Sequence, residues 1–281
     1  MTKQIPRLAV INSFAGFGKI SITAALPIIS ILQVQACPLP TAVLSSHLAY
    51  SPCHKADFTE HMPGYLQAWN NVGVTFDGLY LGYMNNPAQL DIIQDLLDKD
   101  APSGLHILKP NAKIIIDPVM GDHGKAYSTV TPEQIEKMKL LVKKAHLITP
   151  NLTEACMLTD VSYHSDSWPD SELSEICRKM DPEYRMQIVI TGIQEGDGFR
   201  NYLWDKGNTS SLTFPSAGAS RPGTGDMFAS ILSANALKGK PFTDSVRQAS
   251  EFIATCIRDS EAAGTPVKEG VLFEQNLSKL L

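Results

Sequence analysis

The chain has 281 residues, of which 43% are hydrophobic and 19% charged, and its formal net charge is -5 at pH 7. That length and apolar content suit one large α/β domain or two small ones with a sizeable core. The acidic balance and the absence of any Lys/Arg block argue against nucleic-acid or anionic-membrane binding, so any phosphate site must be local and metal-assisted.

Leu8-Ala9-Val10-Ile11-Asn12 is a short apolar run ending in Ser13 and reads as a buried first strand. Gly16-Phe17-Gly18-Lys19 follows, and then a helical stretch to about Gln35. These glycines invite two identifications that their neighbours exclude. A P-loop needs Gly where Ser13 stands and Ser or Thr where Ile20 stands. A dinucleotide fingerprint needs a third glycine at Ser21 and an acidic residue where Cys37-Pro38-Leu39-Pro40 lies.

A second strand is expected over Thr41 to His47, leading into a polar segment with Tyr50, Pro52 and His54. Phe58 to Asn71 reads as a helix, Phe76 to Tyr83 as the third strand, and Pro87 starts a helix ending near Lys99. Lys113-Ile114-Ile115-Ile116-Asp117-Pro118 is the clearest buried strand, followed by Gly121-Asp122-His123-Gly124. A helix from Pro132 to Ala145 precedes the strand Leu147-Ile148-Thr149-Pro150, which ends in Asn151-Leu152-Thr153-Glu154. An irregular stretch from Tyr163 to Ser171 leads to a helix reaching Met180. Gln187 to Gly192 is a strand, Asn201 to Phe214 reads as antiparallel strands, and helices Met227–Lys238 and Thr243–Arg258 close the core.

Strand and helix alternate along most of the chain, which implies a mainly parallel sheet covered on both faces. No internal repeat or linker divides it, so residues 1–281 read as a single domain. The polar residues Ser13, His47, Tyr83, Asp117, Asn151, Glu154, Thr191 and Asp226 fall at or beyond strand C-terminal ends or at a helix start. In open α/β sheets that edge holds the ligand crevice. Five cysteines (Cys37, Cys53, Cys156, Cys177 and Cys256) form no CxxC pair and have no histidine at zinc spacing, which fits reduced thiols in a cytoplasmic protein. No apolar signal region precedes Arg7, and the most apolar helix candidate, Ile20 to Leu32, is interrupted by Pro27 and too short to span a bilayer.

The chemistry is expected at Arg221-Pro222-Gly223-Thr224-Gly225-Asp226. Glycines let successive N–H groups converge, and a helix beginning at Gly225 or Asp226 adds unpaired donors and the positive end of its dipole. That makes an anion hole for a phosphoryl group. A carboxylate beside a phosphate makes sense only if Asp226 faces the other reactant and takes a proton from an attacking hydroxyl.

Gly223-Thr224-Gly225-Asp226, Asp117-Pro118-Val119-Met120-Gly121-Asp122 and Thr149-Pro150-Asn151-Leu152-Thr153-Glu154 match, in order and spacing, three motifs of one superfamily. With them, the chain resembles the ribokinase-like vitamin kinases, and within them the pyridoxal/pyridoxamine kinase family. Ser45-Ser46-His47 and Leu81-Gly82-Tyr83 look like that family's vitamin-side segments. The resemblance implies a three-layer α/β/α ribokinase-like fold with a central, mostly parallel sheet, and a homodimer. It also implies ATP-dependent phosphorylation of a vitamin B6 vitamer at its hydroxymethyl group.

On that resemblance Asp226 is the base, and the N–H groups of Gly223, Thr224 and Gly225 stabilise the transferred phosphoryl. Asp117 and Glu154 hold Mg²⁺ at a solvated crevice, often through water. Asn151 and Thr191, with Gly223 and Gly225, line the ATP phosphates. Ser13 and His47 offer hydrogen bonds to the pyridine substituents, and Phe17 and Tyr83 offer aromatic faces. The resemblance leaves a monovalent-cation requirement open.

Each residue also has an ordinary structural role: Asp117 as a strand end, Glu154 as a first-turn carboxylate after an Asn151 cap, His47 as a satisfied half-buried histidine. Phe17 and Tyr83 can serve as core aromatics, and Asp226 as a helix-start carboxylate. Two departures concern the substrate. Pyridoxal kinases commonly carry Gly-Asn where Ile20-Ser21 stands, and Asn-His-Thr where Ser46-His47-Leu48 stands. The hydroxymethylpyrimidine kinases of thiamine biosynthesis are the nearest alternative, and a non-catalytic vitamin or nucleotide sensor is the alternative of a different class.

Overall fold

The computed structural model describes residues 5–98, 101 and 103–281. In chain order the elements are β1 (Arg7–Ala15), α1 (Ser21–Ile31), β2 (Gln35–Leu44), β3 (Lys55–Asp57), α2 (Met62–Asn71), β4 (Phe76–Leu81) and α3 (Pro87–Leu96). There follow β5 (Leu108–Ile116), a small hairpin of β6 (Gly121–Asp122) and β7 (Lys125–Ala126), α4 (Pro132–Val142), β8 (Leu147–Ile148), α5 (Leu152–Thr159) and α6 (Asp170–Met180). The chain continues through β9 (Gln187–Glu195), β10 (Gly198–Asp205), β11 (Asn208–Pro215), α7 (Thr224–Lys238) and α8 (Phe242–Ala262).

Among the described residues, nine strands form one sheet in the order β11-β10-β9-β8-β5-β4-β1-β2-β3. The pairs from β2 through β1, β4, β5 and β8 to β9 are all parallel, and the antiparallel pairs lie at the two edges. Apolar residues fill both faces, as a parallel sheet requires. One core packs Ile11, Leu79, Ile116 and Ile190 against α2 to α6; the other packs Val10, Tyr80, Ile115 and Val189 against α1, α7 and α8. This is the three-layer α/β/α arrangement the sequence implies. Strand order reverses between β1 and β4, which opens a crevice beyond their C-terminal ends.

Several boundaries differ from expectation. The second strand starts at Gln35, six residues before Thr41, and ends at Leu44 rather than His47. Its prolines look like breakers, but Gln35 N–H points to the Pro6 carbonyl on the β1 side, so by alternation Pro38 and Pro40 turn their nitrogens away. β3 pairs with β2 only over Ala42–Leu44, so both prolines sit at an open edge, where a missing N–H costs no ladder bond. β3 itself was not expected. Helix α1 ends at Ile31 rather than Gln35, and α3 ends at Leu96; Lys99 lies outside the described residues. Helix α7 begins at Thr224, earlier than Gly225 or Asp226.

Candidate active site

The crevice is a cavity of about 760 Å³, and its wall takes residues from almost every strand end. Ser13 comes from β1, Tyr83 from beyond β4, Asp117 from beyond β5, Asn151 and Glu154 from the start of α5, and Thr191 from β9. Gly223, Thr224, Gly225 and Asp226 close it from the first turn of α7. An apolar end is formed by Phe199, Phe214, Ile253, Ala254 and Ile257.

The turn into α7 requires its glycine. Gly223 has φ +85°, and a Cβ there would collide with the Lys19 carbonyl. Gly223 caps the helix without a side-chain acceptor, and the first intrahelical bond runs from Met227 N–H to the Gly223 carbonyl. The N–H groups of Thr224, Gly225 and Asp226 therefore lie ahead of the helical ladder, at the positive end of the dipole and on the cavity wall. Thr224 Oγ1 donates to the Arg221 carbonyl at 3.0 Å, which fixes the turn from below.

Asp226 is oriented by groups from the other side of the fold. Asn12 Nδ2 donates to Asp226 Oδ1 at 3.0 Å, and the Ser21 main-chain N–H donates to the same carboxylate. Asn12 Oδ1 meanwhile accepts from the N–H groups of Ser13 at 2.8 Å and Tyr83 at 3.0 Å. One buried amide thus ties β1, β4 and α7 together beneath the site. Burial raises the Asp226 carboxyl above the ordinary carboxylate range, and the two donors pull it partly back. Enclosed by protein, Asp226 keeps part of its surface open to the cavity.

Two further carboxylates share the floor. Asp117 Oδ1 accepts from Thr149 Oγ1 at 2.9 Å. Burial, and then the charge of Asp226, push Asp117 up to about 7. Glu154 is 4% exposed, which corrects the expectation of a solvated crevice at this residue. Its Oε1 accepts from Met120 N–H at 3.1 Å, and its Oε2 accepts from Asn151 N–H at 2.8 Å. Asn151 Oδ1 returns a bond to Glu154 N–H at 2.9 Å, so the pair forms a capping box at the start of α5. Burial and the charge of Asp117 hold Glu154 well above the usual range. Among the described residues no cluster of three or more His, Cys, Asp or Glu forms a ready metal cage. Two buried carboxylates without a cation beside them fit a Mg²⁺ ion that takes its remaining ligands from water and phosphate oxygens.

The vitamin-side candidates are placed differently. Ser13 Oγ donates to Ser21 Oγ at 2.9 Å within the cavity wall. His47 borders the cavity, but both ring nitrogens are engaged: Nε2 lies 2.5 Å from the Lys268 carbonyl, and Nδ1 accepts from Ala49 N–H at 3.3 Å. Its ring is therefore a brace, with no nitrogen left to bond a ligand. Tyr83 is held by Thr41 Oγ1, which donates to its carbonyl at 2.9 Å. Phe17 is 52% exposed, packs its ring against Tyr50 and does not line the cavity. Two wall residues, Ser21 and Tyr127, and the buried Asn12 behind Asp226 were missed by sequence reasoning. Asn12 left a signal, a polar residue closing an apolar run. Ser21 left none, because its part is played by a main-chain N–H at φ +51°.

Residues 93–270 match the sequence profile of a family described as phosphomethylpyrimidine kinase. A candidate pyridoxal kinase of Schizosaccharomyces pombe is 29% identical over 245 residues, covering 80% of this chain and 66% of that protein. The chain thus spans just under two thirds of that relative's length. A candidate phosphomethylpyrimidine kinase from Bacteroides thetaiotaomicron, in a crystal form with pyridoxal, is 33% identical with a TM-score of 0.90 over 99% of this chain and 96% of that one. The pyridoxal kinase of Leishmania donovani, in complex with ADP and pyridoxamine, is 23% identical with a TM-score of 0.83 over 98% and 95% of the two chains. No helix among the described residues is long and apolar enough to cross a membrane.

Proposed function

The chain belongs to the phosphomethylpyrimidine kinase family, and we propose that it is a vitamin B6 kinase that transfers the γ-phosphoryl group of ATP to the 5'-hydroxymethyl group of pyridoxal, pyridoxamine or pyridoxine. The observation that carries this reading is the position of Asp226. It is held from one side by Asn12 and Ser21, and stands at the uncapped N-terminus of α7 in the cavity that Asp117 and Glu154 also border. The names of the Schizosaccharomyces and Bacteroides relatives, and the pyridoxal in the latter's crystal, favour a pyridine alcohol as acceptor.

In this reading Asp226 takes the hydroxyl proton as the substrate oxygen attacks the γ-phosphorus. The bond to the bridging oxygen breaks and ADP leaves. Thr224, Gly225 and Asp226 direct main-chain N–H groups at the charge on the transferred group. Asp117 and Glu154 would hold Mg²⁺, which supplies positive charge to the phosphate oxygens. Thr149 keeps Asp117 oriented, and the Asn151 cap keeps Glu154 facing the floor. Asn151 and Thr191 border the phosphate path, and the apolar end at Phe199 and Phe214 suits the nucleotide base. Ser13 and Tyr83 face the vitamin, with His47 setting the wall behind them. The reading includes one domain over residues 1–281, acting in the cytoplasm as a homodimer.

A panel of pyridoxal, pyridoxamine, pyridoxine and hydroxymethylpyrimidine with ATP and Mg²⁺ tests the assignment. B6 vitamers are expected to be turned over preferentially. Preference for hydroxymethylpyrimidine by a wide margin would move the chain to the pyrimidine side of its family, and ligand binding without product would make it a sensor.

A further inference from the structure

Arg221 stands two residues before Gly223, and its side chain is only 1% exposed. Nη1 donates to the carbonyls of Thr265 at 3.0 Å, Gly270 at 3.0 Å and Pro266 at 3.4 Å. Nη2 donates to Glu261 Oε1 at 3.1 Å. The fork thus gathers the loop from Thr265 to Gly270, which follows α8, and binds it to the anion-hole turn. The same loop reaches the other end of the cavity. The Lys268 carbonyl takes the His47 Nε2 bond, and the Lys268 ammonium lies 4.8 Å from the centre of the Tyr50 ring. Tyr50 in turn packs edge-on against His47.

A guanidinium buried this deeply, with only a half-exposed carboxylate as ionic partner, is costly unless its fixed geometry does something. A planar fork that meets three carbonyls and a carboxylate at once cannot be replaced by the point charge of lysine. The element that joins the two half-sites is the loop itself, whose carbonyls bond Arg221 on one side and His47 on the other.

We propose that Arg221 is a positioning residue which, through the loop Thr265–Gly270, sets the anion-hole turn and the His47 wall of the vitamin pocket as one unit. The proposal rests on the kinase reading above. It requires that disturbing Arg221 be felt at the vitamin end, although Arg221 and His47 bond different carbonyls of the loop.

The test is a double-mutant cycle with Arg221→Lys and His47→Gln, read on kcat/KM for pyridoxal and, separately, on pyridoxal affinity by direct titration. Arg221→Lys is expected to lower kcat/KM by about tenfold. The double variant should lose less than the product of the single losses by at least about threefold, within the range for residues that share one network. Glu261→Gln, which loosens the fork from its exposed side, should couple to His47→Gln with the same sign and smaller size, and it serves if Arg221→Lys does not fold. Losses that simply multiply, in kcat/KM and in affinity, would overturn the proposal. Wild-type protein that binds pyridoxal without phosphorylating it would sink the kinase reading, while the affinity cycle would still decide the role of Arg221.

Discussion

The two ends of the cavity are finished in opposite ways. At the phosphate end Asp117, Glu154 and Asp226 line one cavity, and burial raises all three above the ordinary carboxylate range, with the charge of Asp226 adding to the shift of Asp117 and the charge of Asp117 to that of Glu154. Among the described residues lining the cavity, the only full positive charge is Arg221, and its donors turn away to loop carbonyls and Glu261. At the vitamin end the polar groups already have partners: Ser13 with Ser21, and His47 with Lys268 and Ala49. One end lacks a countercharge that a ligand must bring; the other is a preset shape. Loss of metal or nucleotide should therefore disturb the first end and leave the second nearly unchanged.

The largest expected effect breaks the comparison at Asp226. Asp226→Asn keeps an oxygen to accept from Asn12 and Ser21 but cannot take the hydroxyl proton. A general base contributes ~10²–10⁴-fold, so kcat should fall at least about a hundredfold, with the melting temperature and nucleotide affinity retained. If Asp226 served only as a helix-start carboxylate, stability would change by about 1 kcal/mol and turnover would barely move.

Asp117→Asn sharpens the same contrast through pH. Because Asp117 is pushed up to about 7, the folded state binds more protons than the unfolded chain between the ordinary carboxylate range and neutrality. Its contribution to stability is thus fullest at low pH and is lost as pH rises through about 7. Removing the charge should stabilise the ligand-free protein at pH 8 by about 1–3 kcal/mol while weakening ATP–Mg²⁺ binding about tenfold. Thermal melts at pH 5.5 and pH 8, with nucleotide titration, read both arms.

The acid end was also the more legible in the sequence. Asp117, Glu154 and Asp226 each sit within a short contiguous segment where a strand ends or a helix starts, so local chemistry and the nearby glycines and asparagine disclose their place. The vitamin end is assembled from separate loops, and sequence reasoning gave Phe17 a pocket role that its position against Tyr50 does not support. His47 borders the cavity, but its partner, the Lys268 carbonyl, lies 221 positions away along the chain, so its role as a brace left no local signal. Arg221 opened the motif without a role because its partners are main-chain carbonyls, which leave no trace in residue type. The early start of β2 was hidden by Pro38 and Pro40, which are breakers everywhere except at an open edge.

Two smaller effects complete the series. Asn151→Ala removes the α5 cap and its bond to the Gly121 carbonyl, and should cost about 1–2 kcal/mol in a chemical denaturation. Phe17→Ala, at a ring outside the cavity wall, should change the KM for pyridoxal by less than about twofold, because a side chain that does not touch the ligand contributes no binding contact to lose.

The most direct measurement is pyridoxal 5'-phosphate formation from pyridoxal and ATP, followed with excess Mg²⁺ and again with the divalent cation chelated. An acid end that waits for a cation should give steady turnover in the first condition and almost none in the second, with pyridoxal binding the same in both. Equal turnover with and without Mg²⁺, or pyridoxal binding that collapses on chelation, would contradict the account.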